Sequence, residues 1–318
     1  TRSGRVTGVQ TWLFRLLAVF GMSMKCTINR RAQFSASHRY HLPELSDDEN
    51  QAKFGLCTRA PGHGHNYELF VSMEGDLDEY GMVLNLSDVK KVIKREVTSQ
   101  LDFSYLNDVW PEFQIDRPEA GLTTTENIAR VIWQRLAPHL PITNVQLFET
   151  STLWADYQGN DMEAYLSIST HFSAAHRLAL PTLTLKENSE IYGLCARVNG
   201  HGHNYHLEVT IKGEMDPRTG MIADLVEFQN AVNTHVVKPF DHTFLNKDIP
   251  HFADVVPTAE NIAVHIRDLL REPIKEIGAS LHKVKLIESP NNSAEVYCED
   301  MSAPVAALAE ETPELAAV

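Results

Sequence analysis

The sequence has little cysteine and no long apolar run. Its 318 residues contain four cysteines, Cys26, Cys57, Cys195 and Cys298. A protein of this length buries enough apolar surface to fold without disulfides, so the low count argues against a disulfide-stapled secreted protein. A reducing compartment is indicated, and we expect the protein in the cytoplasm.

Basic charge is also scarce. The chain has 28 Lys and Arg against 42 Asp and Glu, a formal net charge of -14. Proteins that hold phosphate backbones cluster Lys and Arg, so this composition argues against a general nucleic-acid binder. An anionic substrate would have to be held by a few basic side chains placed at its site.

The two ends of the sequence lack the pattern of a folded core. Residues 1–23 include a short apolar run interrupted by Arg15, well below the roughly 20 residues that span a membrane, so no membrane partner is expected. No A-x-A cleavage pattern follows, and we interpret the segment as an extension upstream of Met22 or Met24, with a targeting peptide as the alternative. Residues 301–318 are rich in Ala, Glu and Pro and are expected to form a mobile tail.

Between these ends the sequence is duplicated. "LCTRAPGHGHNYEL" at 56–69 returns as "LCARVNGHGHNYHL" at 194–207, and "FSASHR" returns as "FSAAHR", all at an offset of 138 residues. A constant offset over this distance indicates two copies of one unit. We predict a first unit at 24–160 and a second at 161–300, divided by the turn-forming residues "YQGND".

Each unit is predicted to have an α+β fold, with an antiparallel four-stranded sheet and two helices. The segment ending in FSA-x-H alternates in polarity, as do residues 66–75 and 204–213, which favours an antiparallel hairpin with a long loop. "NVQLFE" and "KVKLIE" are the next strands, and the last strand is placed near Glu163–Ile168 or Ala294–Cys298.

Apolar residues at helical spacing predict the first helix of each unit. They are Val89, Val92, Ile93 and Val97 in the first unit and Leu225, Phe228, Val232 and Val236 in the second. The second helix is predicted to begin with a capping box, Thr123 three residues before Glu126, and its counterpart to begin at Pro257.

Histidines recur in a pattern typical of metal ligands. His63 and His65 are two residues apart, so an extended strand directs both to one face, and His38 comes from the neighbouring strand. His176, His201 and His203 repeat the arrangement in the second unit. Three imidazoles with an open fourth position are typical of a catalytic zinc site, whereas the alternative is a loop with surface histidines.

A cysteine precedes each histidine pair in the spacing C-x5-H. Cys57 and Cys195 stand at this position, and a nearby cation and Arg would favour the thiolate, which indicates a base or nucleophile. A buried apolar role or a fourth metal ligand are the alternatives.

Together these motifs resemble the 6-pyruvoyl-tetrahydropterin synthase and 6-carboxy-tetrahydropterin synthase family. The resemblance rests on FSA-x-H, C-x5-HGHNY, "FDHTFLN", "PTAENIA" and "KLIES", and spans roughly residues 24–300. It implies the tunnelling fold, in which the sheets of three units form a barrel and two barrels stack as a hexamer. Two units in each polypeptide then predict a homotrimer with a pseudo-hexameric shape.

The resemblance also implies a reaction and roles for residues of the second unit. The substrate would be 7,8-dihydroneopterin triphosphate, which loses triphosphate while Zn²⁺ acts as a Lewis acid on its side chain. His176, His201 and His203 would hold the zinc, and Cys195 would be the general base. Asp241 and His242 would relay a proton, and Glu288 would anchor the pterin.

The first unit matches this set except at one position. His38, His63, His65, Cys57, Asp102 and Glu149 are present, but Phe103 stands where the second unit has His242. The first site is then either degenerate or completed by a histidine from another unit. Arg39, Arg59, Arg177 and Arg197 are candidates for holding the triphosphate, with solvated surface charges as the alternative.

Alternatives remain open both for the product of the reaction and for the activity itself. The C-x5-HGH spacing resembles the pyruvoyl branch, which feeds tetrahydrobiopterin-type pterins, whereas the carboxy branch leads to queuosine and usually has a shorter gap. A catalytically silent zinc- and pterin-binding module is the alternative function, favoured for the first unit by Phe103. A zinc hydrolase would explain the histidines but leaves the repeated Cys and Glu without roles.

Overall fold

The computed structural model describes residues 25–117 and 119–298. The predicted N-terminal extension and C-terminal tail lie outside the described residues. Within the described ranges, no helix is both long and apolar enough to cross a membrane.

The first unit is built on antiparallel strands with helices on one face. Its strands are β1 Lys25–His38, β2 His63–Asp76, β3 Ser104–Tyr105, β4 Ile142–Thr150 and β5 Leu153–Tyr157. Its helices are α1 Asp47–Phe54, α2 Leu86–Ile93, α3 Ser99–Leu101, α4 Leu106–Val109 and α5 Thr125–Leu136. Turns of 3₁₀-helix lie at Gly55–Thr58 and Pro111–Phe113, and a π-helical turn at Lys94–Thr98 follows α2. The two-residue β3 adds in parallel to the outer edge of β1, beyond the predicted four strands.

The second unit repeats this order. Its strands are β6 Glu163–His176, β7 His201–Glu214, β8 Thr243–Phe244, β9 Ser280–Ser289 and β10 Asn292–Tyr297. Its helices are α6 Leu185–Tyr192, α7 Leu225–Val232, α8 Lys238–Phe240, α9 Leu245–Asp248 and α10 Ala259–Glu276. The matching 3₁₀ turns are Gly193–Ala196 and Pro250–Ala253, and the π turn is Asn233–Val237.

The predicted helical faces are confirmed. Val89, Ile93 and Val97 are buried, as are Phe228 and Val232 at the matching positions. A spacing of four residues keeps these side chains on the face that packs against the sheet, and the pattern continues through the π turn.

Both units belong to one continuous sheet. The strand order is β10-β9-β7-β6-β5-β4-β2-β1-β3, with β8 pairing on β6, and β5 pairs antiparallel with β6 from Leu153↔Ile168 to Asp156↔Tyr165. Buried side chains of both units form one contiguous apolar cluster. The two units are therefore neighbours in the same layer.

Two predictions about individual elements are wrong. The last strand of the first unit is Leu153–Tyr157, and Glu163–Ile168 opens the second unit as part of β6. Thr124, not Thr123, caps α5 by accepting the Asn127 N–H, and the counterpart cap is Thr258, one residue after the predicted Pro257. Thr123 and Pro257 use their carbonyls elsewhere, as described below.

Candidate active site

Three histidines meet at the end of the β1–β2 hairpin. His38 lies directly opposite His63 in the strand register, and alternation along β2 directs His65 to the same face. The ligand atoms of the three imidazoles all lie within 4.8 Å of one another. The glycine between the histidines lets the strands approach, because a Cβ on Gly64 would lie 2.9 Å from the Ala36 carbonyl oxygen.

The surroundings of His38 leave the lone pair of its Nε2 available to bind a cation. His38 is fully buried, and its Nδ1 donates a 3.0 Å hydrogen bond to the Thr123 carbonyl, which leaves the lone pair on Nε2. Burial lowers the pKa of His38 to about 3, so the imidazole is neutral. Its Nε2 lies 3.1 Å from His63 Nε2, and the buried Nε2 of His65 has no hydrogen-bond partner among the described residues. These donors fit a metal ion with three imidazole ligands.

The second unit reproduces this geometry. His176 Nδ1 donates to the Pro257 carbonyl at 2.8 Å, and its Nε2 lies 3.1 Å from His201 Nε2. The three ligand atoms, completed by His203, again lie within 4.8 Å of one another. Burial lowers the pKa values of His176 and His201, which keeps both imidazoles in the ligating form. The described part of the protein therefore contains two triads that can hold a metal ion.

A glutamate from the sheet lies beside each triad. Glu149 is buried, with Oε1 3.4 Å from His65 Nε2, and its Oε2 accepts a 2.6 Å hydrogen bond from Thr125 Oγ1. Burial raises the pKa of this carboxyl group. In the second unit Glu288 Oε1 lies 3.7 Å from His176 Nε2 and 3.8 Å from His203 Nε2. Each carboxylate is thus an acceptor within a few ångströms of the metal-competent nitrogens.

The cysteines sit in short 3₁₀ turns that are tied to the first strand of each unit. Tyr40 N–H donates to the Cys57 carbonyl at 2.9 Å, and Leu178 N–H donates to the Cys195 carbonyl at the same distance. Burial and the nearby Glu149 carboxylate raise the pKa of the Cys57 thiol. The protein groups around Cys57 therefore do not favour the thiolate predicted from the sequence, and a bound cation would have to supply that stabilisation.

Two of the candidate phosphate-binding arginines hold the cysteine turns. Arg39 Nε donates to the Thr58 carbonyl at 2.5 Å, and Arg177 Nε donates to the Ala196 carbonyl at 2.9 Å. Each carbonyl belongs to the residue after the cysteine. These guanidinium groups thereby hold the backbone of the turn that contains the cysteine, a role that the sequence did not indicate.

Asp241 and His242 immediately precede β8, which pairs with the end of β6 on the side that also pairs with β5. Asp241 accepts the Ser173 N–H on one oxygen at 2.8 Å and His242 Nδ1–H on the other at 2.8 Å. These bonds hold the pKa of Asp241 below its usual range. His242 is 82% exposed in its side chain, and the described residues include no hydrogen bond from this pair to the triad. Phe103 occupies the same position in the first unit and is 90% exposed.

The contacts that residues of one unit make with the other unit were not predicted from the sequence. The Glu126 carboxylate is buried and accepts the Ile222 N–H at 3.3 Å, and Thr124 Oγ1 donates to the Gly220 carbonyl at 2.9 Å. Arg218 forms a two-point ion pair with Glu44, at 2.8 Å for each contact. A loop of the second unit therefore covers the start of α5, next to the first site.

Tyr40 is a further difference between the two sites. Its ring meets His38 edge-on at 5.2 Å between centroids, and Leu178 occupies this position in the second unit. Burial raises the pKa of the Tyr40 phenol well above its usual value. At this position the first triad thus has an aromatic contact where the second unit has leucine.

Comparison with known proteins gives the same duplication. The 6-pyruvoyl tetrahydropterin synthase family model matches residues 27–160 and again residues 165–299. The human 6-pyruvoyl tetrahydrobiopterin synthase is 43% identical over 134 residues, which are 42% of this chain and 91% of that protein. A putative 6-carboxy-5,6,7,8-tetrahydropterin synthase of Archaeoglobus fulgidus is 35% identical over 134 residues, 42% of this chain and 96% of that protein.

A solved structure is similar over the length of one unit. The Caenorhabditis elegans 6-pyruvoyl tetrahydropterin synthase matches with 35% identity and a TM-score of 0.41, covering 43% of the present sequence and 96% of that structure. The two family matches together cover most of the sequence. The protein therefore belongs to the 6-pyruvoyl tetrahydropterin synthase family of enzymes, as a form with two units in tandem.

Proposed function

We propose that the protein is a zinc-dependent lyase that converts 7,8-dihydroneopterin triphosphate to 6-pyruvoyl-tetrahydropterin with release of triphosphate. The observation that carries this proposal is the grouping, in each unit, of three metal-competent histidines with a neighbouring carboxylate. The human relative named for the 6-pyruvoyl product is 43% identical, against 35% for the archaeal relative named for the 6-carboxy product, which favours the former branch.

The second unit carries one copy of each residue that the family resemblance assigns to this reaction. Zn²⁺ bound by His176, His201 and His203 would supply Lewis acidity that makes the C–H bonds in the pterin's side chain more acidic. Cys195 acts as the general base that takes this proton. The backbone of its turn is held by hydrogen bonds from Leu178 and Arg177, which supports a fixed position for this cysteine before the substrate binds.

Glu288 orients the pterin ring. Its carboxylate accepts hydrogen bonds from the ring N–H and amino group, which places the side chain of the substrate over the histidines. The short distances from Glu288 to His176 and His203 support this role. Glu149 has the same relation to the first triad.

The Asp241–His242 pair serves as a proton relay. Asp241 holds the Nδ1–H of His242, which leaves Nε2 to accept or donate a proton. Because the pair is exposed and lies on the side of β6 that pairs with β5, we propose that it completes a site of another unit rather than that of its own unit. Phe103 cannot transfer a proton, so only half of the sites in the assembly receive a complete relay.

The contacts between the two units of one protomer support the association of several copies of the protein. β5 of the first unit pairs with β6 of the second, whereas the equivalent strands β10 and β1 lie toward the two ends of the described sheet. Likewise, the Arg218 loop covers the first unit, while Tyr80 in the matching loop of the first unit is 76% exposed. We propose that copies repeat the internal contact head to tail.

We propose a different arrangement of units for the predicted homotrimer. Two stacked barrels of three units cannot be assembled from whole protomers whose two units are neighbours in one sheet. A ring with an even number of units is compatible, and a trimer would then form one ring of six. Light scattering should give about three times 35.8 kDa for a trimer. A twofold mass would retain the head-to-tail contact but refute the trimer, and a monomer would refute both.

Turnover by the zinc-loaded protein tests the activity. We expect triphosphate release from 7,8-dihydroneopterin triphosphate, and mass spectrometry of the pterin product distinguishes the 6-pyruvoyl from the 6-carboxy form. Cys57→Ala and Cys195→Ala, made separately, identify which cysteine works with His242. No triphosphate release by wild type with zinc bound would refute the proposal.

The second candidate function is that some of the sites bind zinc and pterin without turnover. Phe103 is the observation that favours it. Phe103→His should then raise the turnover per protomer by up to about twofold, since it equips the remaining sites with a relay. His242→Phe should abolish turnover while both metal ions stay bound. Unchanged turnover in both variants would exclude a role for this position.

A further inference from the structure

The two anchoring carboxylates differ in one hydrogen-bond partner. Thr125 Oγ1 donates to Glu149 Oε2 at 2.6 Å, and both side chains are buried. Alignment of "TTTENIA" with "PTAENIA" places Ala259 opposite Thr125, and alanine has no hydroxyl donor. Glu288 therefore lacks the hydrogen bond that fixes Glu149.

The hydroxyl of Thr125 is held at a defined place. Thr125 is the first residue of α5, and the cap residue before it, Thr124, accepts the Asn127 N–H and donates to the Gly220 carbonyl. The helix start is thus fixed both by its own first turn and by the second unit. A donor on such a rigid element restricts the rotamers of the glutamate that it contacts.

We propose that Thr125 is a positioning residue that holds Glu149 in its ligand-accepting orientation, so that the first site binds the pterin ring more tightly than the second. This inference rests on the proposed function, because the ligand is the ring of the proposed substrate. The Thr125 bond uses one acceptor position of Oε2, and the remaining positions of the carboxylate can accept the ring N–H and amino hydrogens. Glu288 has to lose side-chain freedom when the same ligand binds.

Calorimetric titration of the zinc-loaded full-length protein with 7,8-dihydroneopterin tests this difference. The probe has the ring and side chain but no triphosphate to release. Glu288→Ala isolates the first site and Glu149→Ala the second. We expect the lower Kd at the first site, and Thr125→Ala should raise that Kd roughly three- to tenfold, the cost of ordering one long side chain.

Two conservative variants distinguish positioning from a loss of fold. Thr125→Ser keeps the hydroxyl and should retain the wild-type Kd at the first site. Ala259→Thr, in the Glu149→Ala background, should lower the Kd of the second site. Zinc content and melting temperature of each variant report on the fold independently of pterin binding.

The possible failures are separable. Equal Kd values at the two sites, an unchanged Kd in Thr125→Ala, or a serine variant as weak as the alanine variant would overturn the role of Thr125 alone. If wild type binds no 7,8-dihydroneopterin at either site although both metal ions are present, the proposed function fails as well.

Discussion

Neutralising Glu126 should stabilise the protein above neutral pH. Burial raises the pKa of this carboxyl group from 4.5 to about 7, with a small contribution from Glu149. The folded state therefore binds the Glu126 proton more tightly than the unfolded state does. Stability from this group is complete below pH 4.5 and is lost as the pH rises through about 7.

The size of the effect follows from the pKa difference. Each unit of difference corresponds to about 1.4 kcal/mol, so an ionised Glu126 costs on the order of 3 kcal/mol of unfolding free energy at pH 8. Glu126→Gln removes the charge but keeps an oxygen that accepts the Ile222 N–H. The variant should be more stable than wild type at pH 8 by this amount, and the difference should shrink toward zero at pH 5.

Urea unfolding followed by tryptophan fluorescence is a suitable assay. Of the four tryptophans, Trp110, Trp133 and Trp154 lie in the first unit, and a Trp12→Phe background removes the fourth, so the signal reports on the unit that contains Glu126. Glu272→Gln, an exposed position on α10, serves as the control and should leave the pH dependence unchanged. An identical pH dependence in wild type and Glu126→Gln, or a loss of stability in the variant at pH 8, would refute the reasoning.

Three other substitutions test the site and the contact between units. Arg218→Ala removes the ion pair with Glu44 and two hydrogen bonds to carbonyls of the first unit, and should lower the unfolding free energy by about 2 kcal/mol in the same assay. His38→Ala should reduce zinc from two ions to one per protomer by elemental analysis, whereas His206→Ala, at an exposed position, should retain two. Gly64→Ala adds a Cβ 2.9 Å from a facing carbonyl oxygen, so we expect zinc to leave the first site faster on challenge with a chelator.

The histidine triads were predictable because their spacing follows directly from strand geometry. In β2, alternation alone directs His63 and His65 to one face, and pairing with β1 brings His38 opposite. The duplication supplied a second instance of the same pattern at a constant offset. Short-range periodicity and one internal repeat were sufficient for this part of the site.

The short strand β5 was missed because it does not alternate. Leu153, Trp154 and Ala155 are all buried, since one face meets the helices and the other packs on neighbouring side chains such as Phe148, which stacks on Trp154. Period-two alternation therefore does not identify this segment as a strand, and it favours Glu163–Ile168, where alternation is evident.

Contacts between the units had no signal in the sequence. Glu126 looks like the last position of a capping box, a solvated role that the spacing predicts equally well. Its burial follows from a loop nearly a hundred residues downstream, which packs over α5 and donates the Ile222 N–H. Only the tertiary arrangement distinguishes a buried acid from an exposed cap, so its raised pKa could not be predicted.

Phe103 and His242 show that the two units keep the same backbone at this position while the side chains differ. Both residues have a positive φ, 56° and 59°, and their N–H groups donate to Ser35 and Ser173 carbonyls at 2.7 and 2.6 Å. Placing a side chain of this bulk in the left-handed region costs about 1–2 kcal/mol of conformational free energy, and both units have this cost. Because both units have the same backbone turn at this position, Phe103→His replaces the side chain without a change in backbone conformation. Any gain in turnover from that substitution would therefore be due to the imidazole.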